Sequence, residues 1–114
     1  KDNHYDENNI KNIIKNGKKK FPNLKIEIEV DNLSQLKSII NEDIDIVMLD
    51  NWPIDSVEET IGFVRKNNPK LLIEISGGIN QQNIASYAQF SPDFISSGSI
   101  THSPKSIDLS LEKA

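Results

Sequence analysis

Strand-like and helix-like segments alternate along this chain with a repeat of roughly 20–26 residues, the signature of parallel βα units. From Glu7 to Asn16, Ile10, Ile13 and Ile14 recur at helical spacing, and Gly17 supplies a stop. Lys25 to Val30 alternates, with Ile26, Ile28 and Val30 on one face and Glu27 and Glu29 on the other. Asp31 or Asn32 can cap the next helix, striped by Leu33, Leu36, Ile39 and Ile40. Ile44 to Leu49, broken only by Asp45, predicts a strand buried on both faces and ending in Asp50-Asn51. After a turn at Trp52-Pro53, Asp55 or Ser56 opens a helix with Val57, Ile61 and Val64 inward, and Asn67-Asn68-Pro69 ends it. Leu71 to Ile75 is a third strand, and Asn80 to Gln89 a short helix with Ile84, Tyr87 and Ala88 inward. Asp93 to Ser96 is a fourth strand; Ser103-Pro104 breaks the chain before a closing segment marked by Ile107, Leu109 and Leu111. The fold class is therefore α/β. Four strands are few for a closed barrel of about eight, which leaves a small open sheet or the carboxyl-terminal half of a barrel. The start at a polar stretch, not a strand, favours the half-barrel.

Composition removes several functional classes. A formal net charge of −4 and a pI near 5.1 argue against nonspecific nucleic-acid binding. The only basic run, Lys18-Lys19-Lys20, suits a solvated helix terminus, where cations complement the dipole. With no cysteine there is neither a disulfide framework nor a thiolate metal site, which is compatible with the cytoplasm. No apolar run approaches the roughly 20 residues that span a bilayer, so no membrane association is expected. The chain begins at Lys1 without an initiator Met, and its true start is expected upstream.

In parallel α/β folds, functional groups gather where strands end and helices begin. Here those ends are Glu29, Asp50, Ser76-Gly77-Gly78 and Ser97-Gly98-Ser99. Glycines allow sharp turns that bring backbone N–H groups close to an anion, and a following helix start adds to the effect. Two carboxylates beside two anion cradles would repel bare phosphate. A phosphorylated sugar whose hydroxyls donate to the carboxylates, with Mg²⁺ as mediator, resolves the conflict. Each feature also has a plain reading: Glu29 as an exposed strand residue, Asp50-Asn51 as a turn or cap, Gly77-Gly78 as a turn, Thr101-His102-Ser103 as a helix cap. Glu27 and Glu74 are expected to be strand-face groups, with Glu74 on the face of Ser76.

Lys1-Asp2-Asn3-His4, Ile28-Glu29-Val30, Met48-Leu49-Asp50-Asn51, Ser76-Gly77-Gly78-Ile79 and Gly98-Ser99-Ile100-Thr101-His102-Ser103 occur in that order. The set closely resembles the carboxyl-terminal domain of the quinolinate phosphoribosyltransferases (carboxylating nicotinate-nucleotide pyrophosphorylases), across essentially the whole chain. The resemblance implies one partial α/β-barrel (TIM-barrel-type) domain over residues 1–114, with an amino-terminal domain and the first barrel strands absent. It implies a Mg²⁺-dependent transfer of phosphoribosyl from phosphoribosyl pyrophosphate to quinolinate. Nicotinate mononucleotide, pyrophosphate and CO₂ are the products, on the de novo route to NAD. A homodimer or higher homo-oligomer is implied as well. By motif, Lys1 contacts substrate carboxylate or phosphate groups. Glu29 and Asp50 serve as the catalytic acids near the ribose hydroxyls and as metal ligands, directly or through substrate or water. Ser76, Gly77 and Gly78 form one phosphate loop, Gly98 and Ser99 the other, and His102 lies close to the second. Three positions depart from the family pattern without removing a ligand: Ser99 for a common Ala, Ser91-Pro92-Asp93 for Thr-Gly-Val-Asp, and Tyr5 for an aliphatic residue.

Two alternatives stand beside this reading: a molybdenum-transport-associated paralogue with similar motifs, and a non-catalytic phosphosugar-binding module. The family's basic quinolinate pocket lies upstream of Lys1, and Arg65 sits mid-helix on the wrong side. The chain alone is expected to be inactive. It is also expected to be weakly stable, with two free sheet edges and uncovered apolar helix faces.

Overall fold

The computed structural model describes residues 7–98. Its elements run α1 (Glu7–Lys20), β1 (Glu27–Val30), α2 (Leu33–Ile39), β2 (Ile46–Asp50), α3 (Ile54–Asn67), β3 (Leu72–Ser76), α4 (Ile84–Ala88) and β4 (Phe94–Ile95). The strands form one parallel sheet in the order β1-β2-β3-β4. Each strand pairs with the next one along the chain, and α2 and α3 pack on one face of the sheet, the plan of a barrel wall rather than of a doubly wound sheet.

Pairing register assigns the two faces. Val30, Val47, Leu49, Ile73 and Ile75 share the helix-covered face and are buried against Leu36 and Ile39 of α2 and Val57, Ile61 and Val64 of α3. The opposite face carries Glu27, Glu29, Met48, Asp50, Glu74 and Ser76, none of them fully buried. β2 is thus buried on one face only, and its polar terminus belongs to the open one. Trp52, past the end of β2, is buried and donates its indole N–H to the Val30 carbonyl at 2.7 Å, tying two strand ends together.

Several element boundaries differ from the sequence expectation. Helix α1 runs through Gly17 to Lys20. An interior glycine costs a helix only about 1 kcal/mol, and here the last turn is pinned: Lys18 Nζ donates to Asp45 Oδ2 at 2.6 Å and the Phe21 N–H reaches the Gly17 carbonyl. The lysine run is therefore not wholly solvated. Ile13 is 44% exposed, because α1 flanks the sheet and only the stripe through Ile10 and Ile14 meets the core. Helix α3 starts at Ile54 with Pro53 at its N-cap, and Ser56 Oγ donates to the Pro53 carbonyl. In α4, Ile84 and Tyr87 pack against the core but Ala88 is exposed.

Asp45 does not interrupt β2; it anchors the strand's start. It accepts from Lys18 and from the Ile26 N–H at 2.7 Å. Asp93 repeats the device before β4, accepting from Arg65 Nη2 at 2.7 Å and from the Ile73 N–H at 2.8 Å. The base-to-acid separations are 27 and 28 residues, and the amide-to-acid separations 19 and 20. The described chain is thus two α-β-α-β units built alike, with both anchors at the amino-terminal end of the sheet. Burial pushes each carboxyl up, but the basic partner and the backbone N–H outweigh it and hold both below the ordinary aspartate range. Arg65 is committed to this lower end, away from the strand carboxyl ends.

Candidate active site

Parallel pairing lengthens β2 and β3 by one residue beyond their apolar runs, because Asp50 and Ser76 are partners in the ladder. Both therefore sit on rigid strand rather than loop, side by side at the carboxyl end and on the open face. Glu29, on β1, lies two positions earlier in register, opposite Met48 of β2 and on the same open face. Oxygen atoms of Glu29, Asp31 and Asp50 all lie within 4.8 Å of one another. Three carboxylates so close favour a hard divalent cation with oxygen ligands, and Mg²⁺ fits that donor set.

Asp31 was expected only as a possible helix cap. Asn32 takes that role, its side chain accepting from the Gln35 N–H at 3.0 Å, which leaves Asp31 to the acidic group. The period-two series Glu27, Glu29, Asp31 carried the signal, since alternate strand residues share a face.

The Ser76-Gly77-Gly78 loop follows directly. Gly77 and Gly78 have φ of 86° and 66°, conformations that L side chains rarely adopt. At Gly77 space is also exhausted: a Cβ there would lie 2.4 Å from Asn51 Oδ1 and 2.8 Å from the Asn51 backbone N. The loop does not run straight into a helix, as the sequence suggested. An Asn80–Asn83 turn intervenes: Asn80 Oδ1 accepts from the Gln82 and Asn83 N–H groups, and Asn83 Oδ1 accepts from the Asn80 N–H. Competition from these asparagine side chains delays α4 to Ile84. Any anion held here is held by loop N–H groups rather than by a helix terminus. Asn83 Nδ2 donates to the Gly78 carbonyl at 2.8 Å, and Ser97 Oγ donates to the Ile79 carbonyl, so the loops after β3 and β4 are tied together.

Glu29, Asp50, Ser76, Gly77 and Gly78 are thus brought to one end of the sheet, and Gly98 follows β4 at the same end. Gly98 is exposed, and a Cβ there would meet nothing within 4 Å. Lys1, Ser99 and His102 lie outside the described residues.

The open face is acidic around this end too, with Glu74 level with Glu29 and Met48, and Glu27 one pleat lower. Ser96 Oγ donates to Glu74 Oε1. Glu27 has its carboxyl pushed up to about 7, first by desolvation, then by a shared hydrogen bond with Glu74 and by the charges of Glu74 and Glu29. A raised folded-state pKa means that the folded state holds a proton the unfolded chain has lost, so stability falls as pH rises from about 4.5 to about 7. Thermal melts between pH 5 and 8 should show this decline in the parent protein and a flatter profile for Glu27→Gln. Parallel profiles would refute the shared proton.

Known proteins resemble this chain over most of its length. Residues 1–112 match the family described as quinolinate phosphoribosyl transferase, C-terminal domain. A protein of Methanocaldococcus jannaschii named "Probable nicotinate-nucleotide pyrophosphorylase (carboxylating)" is 44% identical over 117 residues, covering 98% of this chain and 41% of its own length. A Pasteurella multocida protein named as a pyrophosphorylase, ModD, is 30% identical over 102 residues, covering 89% of this chain and 36% of its own. The solved nicotinate-nucleotide pyrophosphorylase of Francisella tularensis superposes with a TM-score of 0.74 at 36% identity, covering 88% of this chain and 35% of that one. The chain spans less than half the length of these relatives. Its parallel sheet, with strands in the order β1-β2-β3-β4, is part of the wall of a TIM-barrel-type domain. With a family match over almost all of its length, this chain belongs to the quinolinate phosphoribosyl transferase C-terminal domain family.

Proposed function

We propose that the chain is the phosphoribosyl-binding part of a carboxylating nicotinate-nucleotide pyrophosphorylase, acting in the cytoplasm as a homodimer or higher homo-oligomer. The observation that carries this reading is the junction of Glu29, Asp31 and Asp50 with the Ser76-Gly77-Gly78 loop at one end of the sheet.

In the reaction, the ring nitrogen of quinolinate bonds to the ribose anomeric carbon as the bond to pyrophosphate breaks. The carboxylate beside that nitrogen leaves as CO₂, and the ring carbon that bore it takes up a proton. Positive charge builds on the ribose ring as the leaving group departs, as in glycoside chemistry. The Glu29 and Asp50 carboxylates stabilise that charge and accept from the ribose hydroxyls. N–H groups of residues 76–78, with Gly98 and Ser99, hold the 5′-phosphate and so fix the ring's position. Lys1 and His102 serve the substrate's anionic groups. Mg²⁺ held by Glu29, Asp31 and Asp50, directly or through substrate or water, would neutralise the departing pyrophosphate.

The test is release of labelled CO₂ from carboxyl-labelled quinolinate by the intact gene product. Release that needs phosphoribosyl pyrophosphate, quinolinate and Mg²⁺ together is the expected result. Binding of phosphoribosyl pyrophosphate without release would favour the second reading, a ModD-like protein, which the Pasteurella similarity supports more weakly.

A further inference from the structure

Asn51 is the only described non-glycine residue besides Ser91 with positive φ, at 55°. It sits between the two halves of the site. Its side-chain Nδ2 donates to Asp50 Oδ2 at 2.9 Å, and its backbone N–H donates to the Ser76 carbonyl at 2.9 Å. Its Oδ1 occupies the space that a Cβ on Gly77 would need. One residue thus touches the carboxylate, the end of β3 and the glycine loop. A left-handed conformation at a non-glycine residue costs energy, and asparagine tolerates it best. Glycine would satisfy the backbone at lower cost, so the retained side chain calls for its own explanation.

We propose that Asn51 is a positioning residue that sets the Asp50 carboxylate against the phosphate loop. Its amide holds one Asp50 oxygen and leaves the other to face the ribose, while its backbone fixes the distance from Asp50 to Ser76-Gly77. The proposal rests on the phosphoribosyl reading above. It assigns Asn51 no contact with substrate.

Two replacements separate this role from a backbone-only role. Asn51→Gly keeps the left-handed turn and the N–H bond to Ser76 but removes the amide. Asn51→Asp keeps the size and the turn but puts a second carboxylate against Asp50. In the intact gene product, Asn51→Gly should melt close to the parent and keep its KM for phosphoribosyl pyrophosphate. Its kcat should fall about 10–100-fold, the scale of one lost hydrogen bond to a charged group. Asn51→Asp should fall further. Wild-type kcat in both variants would overturn the positioning role while leaving the phosphoribosyl reading intact. A parent protein that releases no CO₂ under any condition would remove that reading and this role with it.

Discussion

Asp50→Asn is expected to lower CO₂ release by about 10²–10³-fold, the usual loss when a group aimed at developing charge is removed. The melting temperature should hardly move. Asp50 ends β2 on the open face, where it is half-buried and supports no core contact. An amide at this position still fills the same volume and can still meet the Asn51 side chain. What it lacks is the negative charge that the electron-poor ribose requires. Most of the loss should appear in kcat, because that charge develops only as the leaving group departs. Glu29→Gln should lower turnover in the same way. Turnover within twofold of the parent in both variants, an error margin well below the effect expected for such a group, would remove these carboxylates from the chemistry.

Gly77→Ala is the second large effect, and it falls on stability and turnover together. The left-handed backbone alone costs about 1–3 kcal/mol for an L residue held against its preference. The new methyl would also lie 2.4 Å from Asn51 Oδ1, 2.6 Å from Asn51 Cγ and 2.8 Å from the Asn51 backbone N. The side chain could swing away, but only by leaving Asp50, and the backbone nitrogen is held by the Ser76 carbonyl. A loss of about 3 kcal/mol in chemical denaturation is expected, from strain and overpacking combined, with turnover falling below that of any Asn51 variant. Gly78→Ala supplies the contrast. It has positive φ but open space around it, so about 1–2 kcal/mol is expected. Equal losses at the two glycines would mean that the Asn51 contact carries no weight.

The alternation of apolar runs and caps made the βα plan legible, because burial on one side of a parallel sheet leaves a strong periodic trace in the helices and strands. Leu36, Ile39, Val57, Ile61 and Val64 all lie where their spacing puts them. Glu29, Asp50 and Ser76-Gly77-Gly78 could be picked out for a related reason: polar residues that end apolar strands have few other uses. Asp45 and Lys18 were not legible as partners. Their ion pair spans 27 residues, and only the sheet's register brings them together. Gly17 misled for the same reason, since its helix is continued by that distant contact.

Asp31 and Asn51 were hidden differently. Each stands next to a residue with a stronger local claim, Asn32 as a cap and Asp50 as an acid. Their roles depend on which of two adjacent polar side chains faces the site. The course of the backbone just past each strand end decides that, and it is set only in the assembled sheet. The backbone of Asn51 has no sequence signature beyond the tolerance of asparagine for the left-handed region. The sequence reading starts the helix at Asn80, but the side chains of Asn80 and Asn83 each accept from the other's backbone N–H, and the helix begins only at Ile84.

The most direct measurement is a crystal structure of the intact gene product with phosphoribosyl pyrophosphate and Mg²⁺. The predicted result has the 5′-phosphate on the N–H groups of residues 76–78 and the loop after β4, with the ribose hydroxyls toward Glu29 and Asp50. Phosphoribosyl pyrophosphate bound instead at the amino-terminal end of the sheet, among Lys18, Asp45, Arg65 and Asp93, would contradict it.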